Sequence, residues 1–170
     1  MKKLEDLILT YEDFPKKGIL FKDVLEILQY PEIFQDIILK MSSNQFLKNA
    51  DAIISIDARG FIFGSAVALE SSKPMIVARK PGKLPGQIIT KEYDLEYGTN
   101  SLSVQSNALD KFSSFVIVDD LLATGGTVNC VSSLLHEQNK EVLSLITFVE
   151  LKKLNGRLGL NFPVQSIISL

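Results

Sequence analysis

Hydrophobic residues along the chain fall into short apolar runs that alternate with longer segments of helical periodicity. The strand candidates are residues 52–56, 75–78, 115–118, 142–148 and 165–168. Helical patterns fill most of the gaps, notably at residues 31–47, 60–71 and 126–139. This alternation predicts an α/β fold with a mainly parallel central sheet flanked by helices, in which ligands bind at the carboxyl ends of the strands.

Two stretches interrupt this rhythm. In residues 82–104, a segment rich in proline and glycine is followed by two strand-like patches, at 88–93 and 102–105. A long loop or antiparallel flap that could close over a site fits this stretch better than another helix. Residues 14–23 show turn chemistry around Pro15 and Gly18 without a clear period, which predicts a small N-terminal cap.

Length, composition and charge narrow the possibilities further. A chain of 170 residues with 46% hydrophobic content can bury one core and is too short for two ordinary domains, so residues 1–170 are expected to form one domain. The formal net charge of −2 gives no electrostatic reason to bind nucleic acid. No apolar run approaches the length of a membrane span, and acidic residues interrupt the N-terminal segment where a signal peptide would be apolar. We therefore expect a cytoplasmic protein with small-molecule partners, and no nucleic acid or membrane partner.

The two residue types most often used in metal and redox chemistry occur once each. Cys130 is the only cysteine, so no internal disulfide can form, and its place on an apolar helix face predicts a core position. His136 lies in a polar helix end without cysteine or histidine companions at ligand spacing. Neither residue is assigned any chemistry.

The segment FVIVDDLLATGGT, residues 115–127, joins a buried strand to the start of a helix. Asp119 and Asp120 are predicted where the strand leaves the core. Small residues follow that let backbone N–H groups approach an anion at the positive end of a helix. They are Ala123, Thr124, Gly125, Gly126 and Thr127. The pattern predicts a site for a phosphorylated sugar, in which backbone holds the phosphate and the carboxylates accept hydrogen bonds from sugar hydroxyls or contact a hydrated metal ion.

The competing interpretation of this segment is an ordinary strand-to-helix turn with Thr124 or Thr127 as its cap. A nucleoside triphosphatase is disfavoured, because the chain contains no G-x-x-x-x-G-K-[ST] loop.

A second anion pocket is predicted after the strand at 52–56, where Arg59 could bind a phosphate with two parallel hydrogen bonds and backbone N–H groups beside Gly60 could add fixed donors. The alternative is that Arg59 pairs with Asp57 at a solvated helix start. A third cationic segment places Arg79, Lys80 and Lys83 within five positions after another strand end. Such a cluster suits a leaving group with several negative charges, although a charge run is more often only a solvated surface.

The segment 115–127 closely resembles the 5-phosphoribosyl 1-pyrophosphate (PRPP) signature of type I phosphoribosyltransferases, and its LLATGGT version is similar to that of the members that use adenine. The motifs DARGFIFG, RKPGKLPG and YDLEYG extend the resemblance over nearly the whole chain, up to Arg157. The resemblance implies the type I phosphoribosyltransferase fold, with an N-terminal hood at about residues 1–30 and a flexible flap at about residues 82–104.

The same resemblance implies an activity and its partners. The expected enzyme is a glycosyltransferase, more narrowly a pentosyltransferase, that moves the phosphoribosyl group from PRPP to adenine and yields AMP and pyrophosphate in purine salvage. Mg²⁺ is implied as the cofactor, bound through PRPP and water near Asp119 and Asp120 rather than by direct protein ligands. A homodimer is implied as well.

By resemblance, the loop at residues 123–127 holds the 5-phosphate, while Asp119 and Asp120 face the ribose hydroxyls. The cations that match pyrophosphate-binding positions are Arg59, Arg79, Lys80 and Lys83, and Arg79 could serve the neighbouring subunit. Glu96 matches a general acid/base on the mobile loop, and Tyr97 adjoins the reaction centre. Many relatives carry an acid where this chain has Ala123, which leaves Glu96 as the candidate proton acceptor.

Residues 14–23 resemble the hood over the purine, where backbone groups near Leu20 and Lys22 read the base edge and Phe21 stacks on the base. Without the resemblance, Phe14, Leu20 and Phe21 would be interpreted as core filling. Many relatives have arginine in place of Lys22, and the lysine lacks the planar donor fork, which argues against a side-chain role there.

Two other functions remain open at this point. One is phosphoribosyl transfer to another nucleobase, such as a 6-oxopurine, since these enzymes share the sugar-phosphate site. The other is a noncatalytic PRPP-binding regulator, which the acidic composition and the lack of an appended DNA-binding segment disfavour.

Overall fold

A computed structural model describes residues 3–95 and 98–170. The strands are β1 (Leu9–Tyr11), β2 (Phe21–Asp23), β3 (Ala52–Ile56), β4 (Met75–Ala78), β5 (Ile88–Leu95), β6 (Gly98–Gln105), β7 (Ser114–Leu122), β8 (Glu141–Glu150) and β9 (Val164–Ser169). The α-helices are α1 (Pro31–Ser42), α2 (Gln45–Asn49), α3 (Gly60–Ser71), α4 (Ser106–Leu109) and α5 (Gly126–Glu137). Short 3₁₀ helices occur at Leu4–Leu7, Leu25–Gln29, Lys152–Leu154 and Gly156–Gly159.

The central sheet contains five parallel strands in the order β4-β3-β7-β8-β9. Its middle strands are apolar on both faces because helices cover both faces. Val116 and Val118 of β7 pack in one core cluster with α1 and α3. Phe115 and Ile117, which point the other way, pack in a second cluster with α5 and β6. The predicted α/β architecture is confirmed, and both cores support the strand ends that face the candidate site.

Most predicted elements differ in their bounds by a few residues, and two differences matter most for the site. The helical segment expected at 31–47 is two helices, because Asn44 caps α2 by accepting a hydrogen bond from the Phe46 N–H at 2.8 Å. Strand β7 continues four residues past Val118, because its parallel pairing with β8 extends to Leu122 opposite Glu150. The expectation that Asp119 and Asp120 lie where the strand leaves the core is therefore wrong: both are inside β7.

The segment predicted as a flap forms an antiparallel hairpin of β5 and β6, separate from the central sheet. Its base is tied to the end of β4 by two backbone hydrogen bonds between Arg79 and Ser103, at 2.9 and 2.7 Å. Near the N-terminus, β1 and β2 pair as a small antiparallel cap.

In the part of the chain that the structure describes, no helix combines the length and apolar character that crossing a bilayer requires.

Candidate active site

The loop at residues 123–127, called the glycine loop below, joins β7 to α5. Gly125 has φ of +83°, a conformation that glycine adopts without steric cost, and α5 begins at the next residue. A cavity of about 70 Å³ is lined by Asp119 and residues 121–128. Because the first N–H groups of a helix have no partner within it and α5 begins at this cavity, the cavity suits a small anion such as a phosphate.

Asp119 and Asp120 form a buried carboxylate pair beside this loop, with exposed fractions of 9% and 6%. Burial raises the pKa of the Asp119 carboxyl well above its usual range, and the charge of Asp120 adds to this effect. Burial also raises the pKa of Asp120, although the positive charge of Arg59 opposes the shift. Two acids that are this poorly solvated need a cation or hydrogen-bond donors to remain ionised.

Among the described residues, Asp120 forms an ion pair with one cation, Arg59. Arg59 Nε lies 2.9 Å from Asp120 Oδ2, but its N–H is not aligned with that oxygen, which is left without a hydrogen-bond donor. On the other residue, Asp119 Oδ1 accepts the Asp120 backbone N–H at 2.9 Å. The pair therefore keeps acceptor capacity for a ligand hydroxyl or for water bound to a cation.

Helix α3 approaches this pair more closely than a side chain would permit. A Cβ placed on Gly60 would lie 2.6 Å from Asp119 Oδ1, and one placed on Gly64 would lie 2.3 Å from Ser55 Oγ. The two glycines are four residues apart and face the sheet together. The sequence reasoning considered Gly60 only as a source of N–H donors and missed its steric role, which the G-x-x-x-G spacing of residues 60–64 could have signalled.

Arg59 connects the carboxylate pair to the N-terminal cap. Its guanidinium carbon lies 4.8 Å from the centre of the Phe21 ring, and Nη1 donates to the Lys22 carbonyl oxygen at 3.2 Å. The alternative in which Arg59 pairs with Asp57 is wrong, because Asp57 pairs instead with Arg79, with 3.1 Å between Oδ2 and Nε. The reason is geometric: Asp57 follows β3, and Arg79 follows the adjacent parallel strand β4 at the same sheet edge.

The cap encloses an apolar pocket of about 300 Å³. It is lined by Tyr11, Phe14, Phe21, Asp23, Leu25 and Arg59. Aromatic faces and a guanidinium of this kind suit a flat heteroaromatic ring. Sequence reasoning found Phe21 but missed Tyr11 and Asp23, because β1 carries no periodic signal and is placed beside the pocket only by its pairing with β2.

The three residues predicted to contact the purine have different surroundings. Phe21 lines the pocket and meets Phe14 edge to face, with 5.0 Å between ring centres. Lys22 presents its carbonyl to Arg59, while its Nζ donates to Thr10 Oγ1 at 2.7 Å. Leu20 is not part of the pocket lining, and more than half of its surface, like that of Phe14, is exposed. Plain core filling is therefore the wrong interpretation for Leu20 and Phe14.

The cationic segment after β4 contains one arginine with several contacts and two lysines that point into solvent. Arg79 pairs with Asp57, donates from Nη1 to the Lys83 carbonyl oxygen at 3.3 Å, and lies 5.7 Å from the centre of the Phe61 ring. Lys80 and Lys83 are exposed. Among the side chains that the structure describes, neither lysine has an ion-pair partner, so both ammonium groups are available to an anionic ligand.

The hairpin contacts the glycine loop through a residue that sequence reasoning missed. The Tyr93 hydroxyl lies 3.4 Å from Thr127 Oγ1, and the Tyr93 ring is 3.8 Å from the position a Cβ on Gly126 would occupy. Lys91, two residues before Tyr93 on β5, forms an ion pair with Glu137 of α5, so both side chains lie on the side of the hairpin that faces α5. The predicted catalytic residues, Glu96 and Tyr97, lie outside the described residues.

The two residues set aside in the sequence have the surroundings expected of them. Cys130 is buried, its Sγ donates to the Lys91 carbonyl oxygen at 3.4 Å, and burial raises the pKa of its thiol to about 11, as expected of an inert core residue. His136 is exposed near the end of α5. Within the described part of the chain, no three histidine, cysteine or acidic residues are grouped so that they could hold a metal ion.

Comparison with known proteins places this geometry in context. A family model described as "Phosphoribosyl transferase domain" matches residues 23–168. An adenine phosphoribosyltransferase from a strain of Prochlorococcus marinus is 81% identical over 170 residues, which is 100% of both chains.

Solved structures give the same result. The adenine phosphoribosyltransferase of Thermoanaerobacter pseudethanolicus superimposes with a TM-score of 0.88 at 39% identity, over 99% of this chain and 100% of that one. The Saccharomyces cerevisiae enzyme, solved with D-2,5-dideoxy-2,5-imino-altritol 1,6-bisphosphate and adenine, has a TM-score of 0.86 at 34% identity, over 97% and 96% of the two chains. The similarity therefore covers the cap and the hairpin as well as the sheet and the glycine loop.

Proposed function

The chain belongs to the phosphoribosyl transferase domain family, and from this premise we propose that it transfers the 5-phosphoribosyl group of PRPP to adenine, giving AMP and pyrophosphate. One observation supports the proposal more than any other: a buried carboxylate pair lies beside the glycine loop, whose cavity suits an anion. Arg59 pairs with Asp120 and also lines the apolar pocket, and so connects the carboxylate pair to that pocket. A phosphorylated sugar joined to a flat base has this sequence of chemical groups. The relatives from Prochlorococcus marinus and Thermoanaerobacter pseudethanolicus are both named for this activity.

In this proposal the glycine loop binds the phosphate of the sugar. Backbone N–H groups of residues 123–127 hold the 5-phosphate at the positive end of α5. The ribose hydroxyls then donate to Asp119 and Asp120, whose burial leaves their carboxylates short of donors. The same negative charges lie near the carbon that becomes electron-deficient during the reaction, and so stabilise it.

The reaction breaks the bond between the ribose C1 carbon and pyrophosphate, whose oxygen keeps the electron pair. A purine nitrogen supplies the pair for the new bond to C1 and loses its proton. Lys80 and Lys83, both exposed and unpaired in the described structure, and Arg79 beside them supply positive charge to the departing pyrophosphate. Arg59 adds charge from the side of the carboxylate pair.

We propose Mg²⁺ as the cofactor, and the donor set fits it. Asp119 and Asp120 offer carboxylate oxygens that can accept hydrogen bonds from water bound to the ion, and Asp120 Oδ2 lacks a hydrogen-bond donor. The ligands themselves would come from PRPP oxygens and water. When bound, the ion neutralises charge on the pyrophosphate.

The adenine ring is proposed to occupy the cap pocket against Phe21, with backbone groups near Leu20 and Lys22 at its edge. Glu96 is proposed as the group that receives the purine proton, with Tyr97 beside the reaction centre. The contact between Tyr93 and Thr127 supports a role for the hairpin in covering the bound sugar phosphate, because it already joins the hairpin to the glycine loop.

Two further expectations from the sequence are kept as proposals. The protein is proposed to act as a homodimer in the cytoplasm. Helix α3 supports the dimer, because its outer face leaves Leu69 84% exposed beside a groove that includes Ala68 and Met75. Sedimentation of the purified protein at micromolar concentration should give the mass of two chains, and Leu69→Glu should shift it toward one. A monomeric wild type would contradict this.

The activity is tested by incubating the purified protein with PRPP, Mg²⁺ and one base at a time: adenine, hypoxanthine, guanine, xanthine or orotate. We expect AMP from adenine at a rate at least about 100-fold above that for any other base, since a pocket that hydrogen-bonds one base edge leaves polar groups unpaired with the others. Preference for hypoxanthine would favour the 6-oxopurine alternative. PRPP binding without turnover of any base would favour a noncatalytic regulator.

The proton acceptor is tested separately. Glu96→Gln should lower kcat by about 100-fold or more, because general base catalysis contributes at least that much, and should leave the Kd for PRPP within about twofold. Glu92→Gln on the exposed side of β5 is the matched control. A Glu96→Gln enzyme with wild-type turnover would exclude this residue as the base.

A further inference from the structure

A turn that follows β8 lies directly against the glycine loop. Gly156 is buried there, and a Cβ built on it would lie 2.2 Å from the Ala123 carbonyl oxygen and 2.9 Å from the Gly125 nitrogen. In the opposite direction, a Cβ on Gly125 would lie 2.7 Å from the Gly156 carbonyl oxygen. The two backbones therefore touch without intervening side chains, and the turn forms the back wall of the loop.

Arg157 fastens this turn to the sheet. Its Nε donates to Glu150 Oε1 at 2.9 Å, and Nη2 donates to the other oxygen of the same carboxylate. Nη1 donates to the Val164 carbonyl oxygen at 2.8 Å. Such a two-pronged contact fixes direction as well as distance, because the planar guanidinium matches the planar carboxylate.

Glu150 is itself fixed at the end of β8, the strand that leads into the turn. It is the last residue of β8, pairs in register with Leu122 of β7, and accepts a hydrogen bond from Ser166 Oγ at 2.9 Å. Its side chain is 7% exposed, whereas that of Arg157 is 46% exposed. The anchor thus rests on the same two strands that place the glycine loop, and the arginine reaches it from the solvent side.

Neither residue lines the cavity of the glycine loop, which is formed by Asp119 and residues 121–128. Any effect of the ion pair on an anion in that cavity is therefore indirect, and the turn contacts the loop at Gly156. The loop needs such support because a phosphate site made of backbone N–H groups works only when those groups are already aimed at the anion.

We propose that Glu150 and Arg157 are positioning residues for the glycine loop: their ion pair holds Gly156 against Ala123 and Gly125 and so keeps the loop N–H groups directed at the 5-phosphate of PRPP. The inference rests on the proposed function, because it takes that phosphate as the ligand. Loss of the pair frees the turn, and the loop then samples orientations that bind the phosphate poorly.

The test compares Arg157→Ala and Arg157→Lys with Lys153→Ala, which removes an equal charge from the exposed 3₁₀ segment just before the turn. We expect Arg157→Ala to raise the KM for PRPP by about tenfold, with kcat and the KM for adenine within about threefold of wild type, because misdirected loop donors weaken sugar-phosphate binding. Arg157→Lys should recover little, since lysine lacks the fork. Lys153→Ala should match wild type.

A purely structural role would lower the melting temperature of Arg157→Ala and leave its KM for PRPP unchanged, and that result would overturn the inference. Gly156→Ala is a second variant for the case in which Arg157→Ala does not fold; it should raise the Kd for PRPP more than the Kd for adenine, and equal changes would overturn the inference. If the wild type itself binds no PRPP, both the proposed function and the inference fail. If the wild type binds PRPP and these variants bind it with unchanged affinity, only the positioning role is contradicted and the proposed function stands.

Discussion

Two buried acidic sites on adjacent strands of the sheet have opposite electrostatic character. Asp119 and Asp120 on β7 and Glu150 on β8 are each less than one tenth exposed. Burial raises the pKa of both aspartates. The hydrogen bonds from Arg157 lower the pKa of Glu150, and Ser166 adds to that effect. Carboxylates with similarly small exposed fractions are thus disfavoured in the charged form on one strand and favoured in it on the next.

Desolvation is the largest cause of the raised pKa of each aspartate, whereas hydrogen bonds from Arg157 outweigh it at Glu150, so the two sites differ in how completely donors surround each carboxylate. Burying a charge without partners costs free energy, and Glu150 offsets this cost with a two-pronged arginine and a hydroxyl. The aspartate pair has one arginine whose N–H is not aligned with the nearest oxygen. A saturated acid is suited to holding the fold together, whereas an acid short of donors is suited to receiving a ligand.

The strongest test of this contrast removes the charge of the pair. Asp119→Asn together with Asp120→Asn should weaken PRPP binding by more than about 100-fold, because two charge-assisted hydrogen bonds contribute roughly 1.5–3 kcal/mol each and 1.4 kcal/mol is a factor of ten. Calorimetric titration measures the affinity, with Asp36→Asn on the surface of α1 as the control. Unchanged affinity in the double variant would remove the ribose assignment.

The same double variant carries a prediction of opposite sign for stability. Because the folded-state pKa of each aspartate is raised, the ionised form is disfavoured in the fold, and this penalty is fully present above the folded pKa. At neutral pH the ligand-free double variant should therefore melt no lower than wild type, and a gain of about 2–4 °C is expected for each kcal/mol removed. A large loss of stability would mean that the pair is structural.

A smaller effect is expected from crowding the pair without changing its charge. Gly60→Ala places a methyl group 2.6 Å from the position of Asp119 Oδ1, so the carboxylate must move. PRPP affinity should fall by about tenfold, even though alanine favours a helix more than glycine does. Glu70→Ala, exposed on the same helix, is the control. Equal kcat/KM in Gly60→Ala and wild type would show that the close approach has no functional importance.

Arg59 and Arg157 are expected to affect the pH dependence of PRPP affinity differently. The positive charge of Arg59 opposes the raised pKa of Asp120, so Arg59→Gln should raise that pKa further. The ionised carboxylate is then lost at a higher pH, and the fall in PRPP affinity on acidification should begin at a higher pH than in wild type. Arg157→Gln should weaken binding without moving that onset, because its partner is Glu150. Titrations between about pH 5 and pH 8 would separate the two, and coincident onsets in Arg59→Gln and wild type would contradict the coupling.

The smallest expected effect concerns the stability contributed by Glu150. Its folded-state pKa is lowered, so its contribution is present above the ordinary value of 4.5 and is lost as the pH falls through the folded pKa. Glu150→Gln should lower the melting temperature by about 2–4 °C at neutral pH, since an ion pair with a partly exposed partner contributes only about 1 kcal/mol. The difference from wild type should shrink in acid, and a difference that is constant with pH would contradict this assignment.

Sequence reasoning performed best where one stretch of chain contains all the information. The bounds of β3, β4 and α3 were predicted correctly, because apolar runs and helical periodicity follow from local burial. The glycine loop and its carboxylate pair were likewise found as one continuous motif. The predicted end of β7 was wrong, because Asp119 and Leu122 belong to the strand only through their pairing with Thr147 and Glu150 of β8.

The chain by itself therefore determined the α/β class, the order of its elements and the residue types of the candidate site. Only the tertiary structure decided that Arg59 faces Asp120 rather than Asp57, that Tyr93 reaches Thr127, and that Arg157 pairs with Glu150. These contacts join residues on different elements, and their energies depend on distance, alignment and burial. Such quantities are set by packing and have no counterpart in the spacing of residues along a sequence.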